Sequence, residues 1–174
     1  MALRQILIEP NEILRKKSLP VDRVDENLQK LMDDMLETMY AAPGIGLAAI
    51  QVGIPKRVIV LDISPKDQPK KPMFFVNPEI INKSKINSTY EEGCLSVPGQ
   101  FAEIDRPDKC HIKYLDYHGA PQEIEVEGML ATCIQHEIDH LEGVLFIDYL
   151  SKLKKSMIIK KLSKQKKAIE RIVV

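Results

Sequence analysis

Gln135-His136-Glu137-Ile138-Asp139-His140 is the stretch around which this chain is organised. On a helix, residues four apart share a face, one turn above the other. His136 and His140 therefore aim two imidazoles at one point, as a divalent cation requires. Glu137 lies one residue round from the first histidine, close enough to handle a proton of water held by that cation. Two histidines leave the site short of a ligand, so a third must come from elsewhere in the chain. The competing reading, a surface helix with two chance histidines, loses weight because the whole chain contains four.

The helix under this motif spans residues 128–141, with Gly143 as its C-terminal cap. Cys133 shares the face of both histidines, but a cation between them sits near the level of residue 138. Five residues of rise put Cys133 about 7.5 Å away along the axis, too far for a thiol to bridge comfortably. It reads instead as a small apolar wall residue. Cys110 and His111 are neighbours in a strand pattern, so at most one faces the core, and His118 falls in a turn. Cys94 differs: Gly93 removes a side chain beside it, and Leu95-Ser96-Val97-Pro98 leads the backbone out of a strand. By spacing alone, Cys94 stays open as ligand, nucleophile or ordinary buried thiol.

Outward from the motif, the pattern is α+β rather than alternating β and α. Leu28, Leu31, Met32, Met35, Leu36 and Met39 follow Asp25 at helical spacing, and Ala41-Ala42-Pro43-Gly44 stops that helix. A short helix is expected around residues 11–16. Residues 57–63 read as a strand, 73–76 as a second ended by Asn77-Pro78, and 80–90 as a third. Residues 101–104 form a short strand. Residues 110–117 and 122–126 pair across the turn Tyr117-His118-Gly119-Ala120. Small sheets, mostly antiparallel or mixed, are thus expected to wrap a central metal-bearing helix, with further helices toward either end. Residues 1–174 read as one domain, with a C-terminal helix over about 151–171.

Lys+Arg and Asp+Glu both number 25, so no basic excess points to DNA, and no apolar run is long enough for a membrane span. Met1-Ala2-Leu3-Arg4-Gln5 opens no signal sequence. Three cysteines are too few and too uneven for a disulfide framework, which suits a reducing cytoplasm.

Three stretches in order resemble the peptide deformylases: Gly44-Ile45-Gly46-Leu47-Ala48-Ala49-Ile50-Gln51, Glu92-Gly93-Cys94-Leu95-Ser96, and the His136-Glu137-x-x-His140 helix. Arg106 and Gly143-Val144-Leu145-Phe146 extend the likeness over nearly the whole chain, in a form similar to the Gram-negative bacterial enzymes. The resemblance implies Cys94, His136 and His140 as ligands of one divalent metal. Ferrous iron is the ion implied in the cell, with zinc, nickel or cobalt substituting. It implies removal of the formyl group from N-formylmethionyl nascent peptides. Glu137 then moves the proton, and the Gln51 amide and Leu95 N–H stabilise the oxyanion. Gly44, Ile45, Gly46 and Gly93 would border the peptide, and Ile45, Tyr90, Met129, Thr132 and Cys133 would line the methionine pocket. Glu92 and Arg106 would pair to hold the Cys94 loop.

The rival activity is a zinc endopeptidase of the same motif. Its third ligand is a downstream His or Glu, and no histidine follows His140. The C-terminal segment carries eight lysines between 152 and 167, and an apolar stripe of Leu153, Met157, Leu162 and Ile169. It reads as a helix docked by that stripe, or, as the resemblance suggests, as a basic arm for ribosomal RNA.

Overall fold

The computed structural model describes residues 2–172, with side chains described through residue 168. Helix α1 (Glu26–Ala41) starts where the Asp25 carboxylate accepts the Leu28 N–H at 2.9 Å, which satisfies one of the four orphan donors of a helix start. Leu28, Leu31, Met32, Met35 and Met39 are buried. Their spacing lays one apolar stripe against Leu47, Val58 and Val60.

Those partners belong to a five-stranded antiparallel sheet, ordered β1-β2-β3-β6-β7. The strands are β1 (Gly46–Ala48), β2 (Val58–Leu61), β3 (Met73–Lys83), β6 (Lys109–Leu115) and β7 (Pro121–Glu127). A separate hairpin pairs β4 (Asn87–Cys94) with β5 (Val97–Pro107). Every named strand pairing is antiparallel.

Several expected boundaries move. Residues 73–76 and the start of the expected third strand form one strand, β3, which passes straight through Asn77-Pro78. The reason is tertiary. Asn77 adopts φ 51°, and its side chain exchanges two 2.8 Å hydrogen bonds with the Val21 backbone. The register against β6 shifts there, so Pro78 sits in a bulge, where a missing N–H does no harm. The rest of the expected third strand falls in β4, after a break at residues 84–86. The short strand at 101–104 is the middle of the longer β5. The glycine-flanked segment contributes β1 and a turn of 3-10 helix, Ala49–Val52.

Helix α2 (Gly128–Leu141) lies against the sheet through Ala131, Cys133, Ile134 and Leu141. Their partners are Ala48, Ile59, Leu61, Phe75, Ile112 and Val126. Each large side chain so buried stabilises the fold by about 1.5–3 kcal/mol. Gly143 ends the helix at φ 75°, and a Cβ there would collide with the Arg15 carbonyl, so only glycine fits on both counts. The hairpin closes the other side of α2. A 3-10 turn (Phe146–Tyr149) and α3 (Lys152–Ile172) then pack on Val97 and Ile104.

Helix α3 docks differently from its expected stripe. Leu162 is buried, and Ile158 and Ile159 pack beside it. Leu153 and Met157 stay 71% and 62% exposed, and the Ile169 side chain lies outside the described residues.

Candidate active site

The central helix delivers His136, Glu137 and His140 to one end of the β4–β5 hairpin, where Cys94 ends β4. One ligand atom from each of Cys94, His136 and His140 falls within 4.8 Å of the others. Cys94 Sγ lies 3.3 Å from His140 Nε2, and the two imidazole centroids are 5.0 Å apart at 74°. Cys133 stays outside this cluster and lines the adjoining cleft, as its axial offset requires. His118 is exposed, Cys110 is buried in the core, and His111 points outward to Glu123 at 3.3 Å.

Behind the cluster sits a buried charge network. Glu92 Oε1 and Oε2 accept from Arg106 Nε and Nη2 at 2.5 and 3.0 Å. Glu92 Oε2 also takes His136 Nδ1–H at 2.8 Å. That bond directs the other ring nitrogen, Nε2, toward the cluster. Arg106 Nη1 donates onward to Asp139 Oδ2 at 2.8 Å, which also accepts from the Tyr149 hydroxyl at 2.8 Å. The expected Glu92–Arg106 pair thus orients His136 as well as bordering the Cys94 strand. Asp139 and Tyr149 were not legible as site residues: Asp139 occupies a free position of the motif, and nothing local marks Tyr149.

Gln51 is buried beside Cys94. Its Oε1 accepts the Ala48 N–H at 2.8 Å, which sets the amide orientation. Its Nε2 then donates to Ser96 Oγ at 3.1 Å and reaches Cys94 Sγ at 3.5 Å. Ser96, fully buried, is a third residue whose role is not legible in the sequence. It was visible only as a fixed letter of the Glu-Gly-Cys-x-Ser stretch.

A cleft of about 420 Å³ opens over these groups, and Gly44, Ile45, Gly46, Gln51, Gly93, Cys94, Leu95, Cys133, His136 and Glu137 all line it. A Cβ at Gly46 would strike the Glu137 carboxylate, and one at Gly93 would come within 2.5 Å of the Phe101 ring. The glycines thus keep backbone open beside the reacting groups. A smaller cavity of about 80 Å³ adjoins the cleft, walled by Ile45, Tyr90, Gly93, Met129, Thr132 and Cys133. Its exposed lining is predominantly apolar, and its small volume has room for about one apolar side chain.

Burial pushes the Glu137 carboxyl up to about 7. Burial opposes charge on His136, yet its hydrogen bonds to Cys94 and Glu92 prevail and hold it protonated well above the usual range. Burial, then the neighbouring His136, holds His140 well below. The cluster's one soft sulfur and two intermediate imidazole donors fit a first-row divalent ion.

Burial also pushes the other thiols up, Cys110 to about 11 and Cys133 to about 12. At pH 8 a thiol at 11 is thiolate in only about one part in 10³, and the thiolate is the nucleophile. Iodoacetamide is therefore expected to alkylate Cys94 alone in metal-free protein, and a divalent cation should protect it. Peptide mapping by mass spectrometry checks this; equal labelling of Cys133 would contradict the geometry.

Comparison with known proteins shows the family. The family model described as polypeptide deformylase matches residues 3–156. The peptide deformylase of Pelagibacter ubique is 66% identical over 174 residues, the full length of both chains. The crystal structure of peptide deformylase from Ehrlichia chaffeensis superposes with a TM-score of 0.91 at 41% identity, covering 96% of this chain and 98% of that one. The Legionella pneumophila structure gives 0.89 at 48% identity, covering 98% and 99%. By its family match over most of its length and by these relatives, the chain belongs to the polypeptide deformylases.

Proposed function

We propose that this chain is a metal-dependent hydrolase that removes the formyl group from the N-terminal formylmethionine of newly made polypeptides, releasing formate. The observation that carries this reading is the Cys94–His136–His140 cluster, open to a cleft that also presents Glu137 and Gln51. Cys94, His136 and His140 would hold the ion. When bound, it supplies a Lewis acid that polarises a carbonyl oxygen and makes water acidic near neutral pH.

The remaining steps belong to the chain's own groups. The narrow cavity beside Met129 and Thr132 takes the methionine side chain, and the Gly44–Gly46 edge pairs with the peptide backbone as an added strand. Main-chain pairing leaves residues after the first free to vary. The Glu137 carboxylate accepts a proton from the attacking water and returns it to the amine that leaves. The Gln51 amide, held by Ala48 N–H, and the Leu95 N–H donate to the oxygen that gains charge. Glu92 and Arg106 keep His136 in one tautomer.

The endopeptidase alternative draws no support here: of its two downstream glutamates, Glu142 is engaged by Arg57 and Lys17 at the surface, and the Glu170 side chain lies outside the described residues. Ferrous iron is the ion proposed in the cell, with zinc, nickel or cobalt able to replace it, since the donor set rejects none of them. The chain is read as one catalytic domain acting in the cytoplasm; no described helix is long and apolar enough to cross a membrane.

The test is anaerobic. Protein loaded with ferrous iron is offered formyl-Met-Ala-Ser and formate is measured; no formate, or cleavage of an internal bond instead, would refute the reading.

The basic face of α3 is proposed to contact ribosomal RNA. Lys152 and Lys160 flank one side of the helix, away from the cleft. Reversing both charges should weaken co-sedimentation with ribosomes and lower the salt slope by about 0.7–0.9 for each phosphate no longer neutralised. Unchanged binding at low salt would remove the idea.

A further inference from the structure

We propose that the groove between β5 and α3 holds the downstream part of the polypeptide whose formylated end lies in the cleft, and that it favours apolar and acidic residues there. This rests on the deformylase reading of the cleft and adds to it a second, distal recognition surface.

The groove encloses about 720 Å³. Its floor is apolar: Phe101 and Ala102 from β5, with Met157 and Ile158 from α3. Phe101 and Met157 remain 66% and 62% exposed, two large apolar side chains left uncovered in one groove. Gln100 and Phe101 also line the catalytic cleft, so the two cavities share a wall and meet at the Phe101 ring. A chain leaving the cleft past that ring enters the groove.

Charge sets the preference among downstream residues. Lys154 and Lys161 stand seven residues apart on one face of α3, about 10.5 Å along the axis, and both line the groove. Among the described residues neither has an ion-pair partner within 4 Å. Glu103 is the one acidic residue of the lining, which leaves a net positive rim over an apolar floor. Met157 is unbranched and polarisable, so it adapts to different apolar groups. That suits a substrate whose sequence changes from one protein to the next.

Lys152, Lys155, Ser156, Ile159 and Lys160 form a separate face of the same helix, and Lys155 is tied to Asp148 at 2.6 Å. The groove lysines are thus distinct from those facing away from the cleft. Weak contacts suffice for the groove to act. Once the formylmethionine is seated, the downstream residues are held near it at an effective concentration in the millimolar range.

The experiment uses the full chain loaded with ferrous iron and compares three substrates. One is formyl-Met-Ala-Ser. The second extends it to about ten residues, about 33 Å when extended, with Leu, Asp and Glu in the added part. The third has the same length, with Lys for the acids and Ser for Leu. The acidic long peptide is expected to exceed the tripeptide in kcat/KM by about tenfold, mainly through KM, the size two exposed charge pairs allow. The gain should fade with added salt, and the lysine peptide should show none. In Lys154→Glu/Lys161→Glu the ratio of acidic to basic long peptide should invert.

Equal kcat/KM for all three peptides overturns the proposal, as does an acidic preference that survives the double charge reversal. A groove that serves a second copy of the chain would show a concentration-dependent dimer in sedimentation and no length effect, which also overturns it. Failure to deformylate even the tripeptide would instead refute the reading of the cleft.

Discussion

Glu137→Ala should bind its metal and lose turnover by about 10²–10⁴-fold, the usual contribution of a positioned general acid–base group. The carboxylate is buried on α2 and lines the cleft beside His136 without belonging to the ligand cluster. One of its oxygens, Oε2, has no hydrogen-bond partner in the protein. A buried carboxylate with an unpartnered oxygen, on a residue that lines the cleft, suits a substrate or water proton better than a structural role. Burial holds the carboxyl at about 7. The base form is required, so wild-type kcat/KM should rise with pH as Glu137 loses its proton. Its midpoint should lie no higher than about 7, because a cation beside the carboxylate only lowers the value. Metal analysis with steady-state kinetics on both proteins checks the prediction. An alanine variant of normal rate would remove Glu137 from the mechanism, and one without metal would mean the site itself had collapsed.

How much of the fold and site is legible in the sequence depends on distance along the chain. The His136–His140 pair and the α1 stripe are local periodicities, and both elements form where the spacing puts them. Cys94 is open by spacing, and only the resemblance joins it to a histidine pair more than 40 residues away. Pro78 shows the opposite failure. A local rule makes it a strand end, but Asn77 exchanges its hydrogen bonds with Val21, 56 residues distant, and the strand continues. On α3 the periodicity allows more than one apolar face. Phe146 and Ile147, packed on the hairpin, select the face of Leu162 rather than that of Leu153 and Met157. Asp139 gives no signal, because its role is set by the reach of Arg106 from β5.

The second large effect concerns that arginine and its partner. The Arg106 and Glu92 side chains are only 4% and 5% exposed. Burial disfavours both charges; hydrogen bonds from His136 and then Arg106 overcome it and hold Glu92 below the usual carboxylate range, while Glu92 and then Asp139 hold Arg106 above its own. Glu92→Leu should therefore destabilise the protein by up to about 3–5 kcal/mol, since it leaves the buried guanidinium with only the half-buried Asp139 carboxylate as an ion-pair partner among the described residues. That is a large fraction of the roughly 5–15 kcal/mol by which domains are stable. Glu92→Leu/Arg106→Leu should recover much of this loss, because apolar side chains of similar volume replace a pair that was expensive to desolvate. It should not recover the metal site. His136 Nδ1 still lacks its acceptor, and such a loss lowers metal affinity by about 10–100-fold. Thermal melts and metal titrations of the single and double variants separate the two roles. If stability and metal affinity return together in the double variant, Glu92 only holds the fold; if affinity stays low while the melt recovers, Glu92 sets the ring that faces the ion.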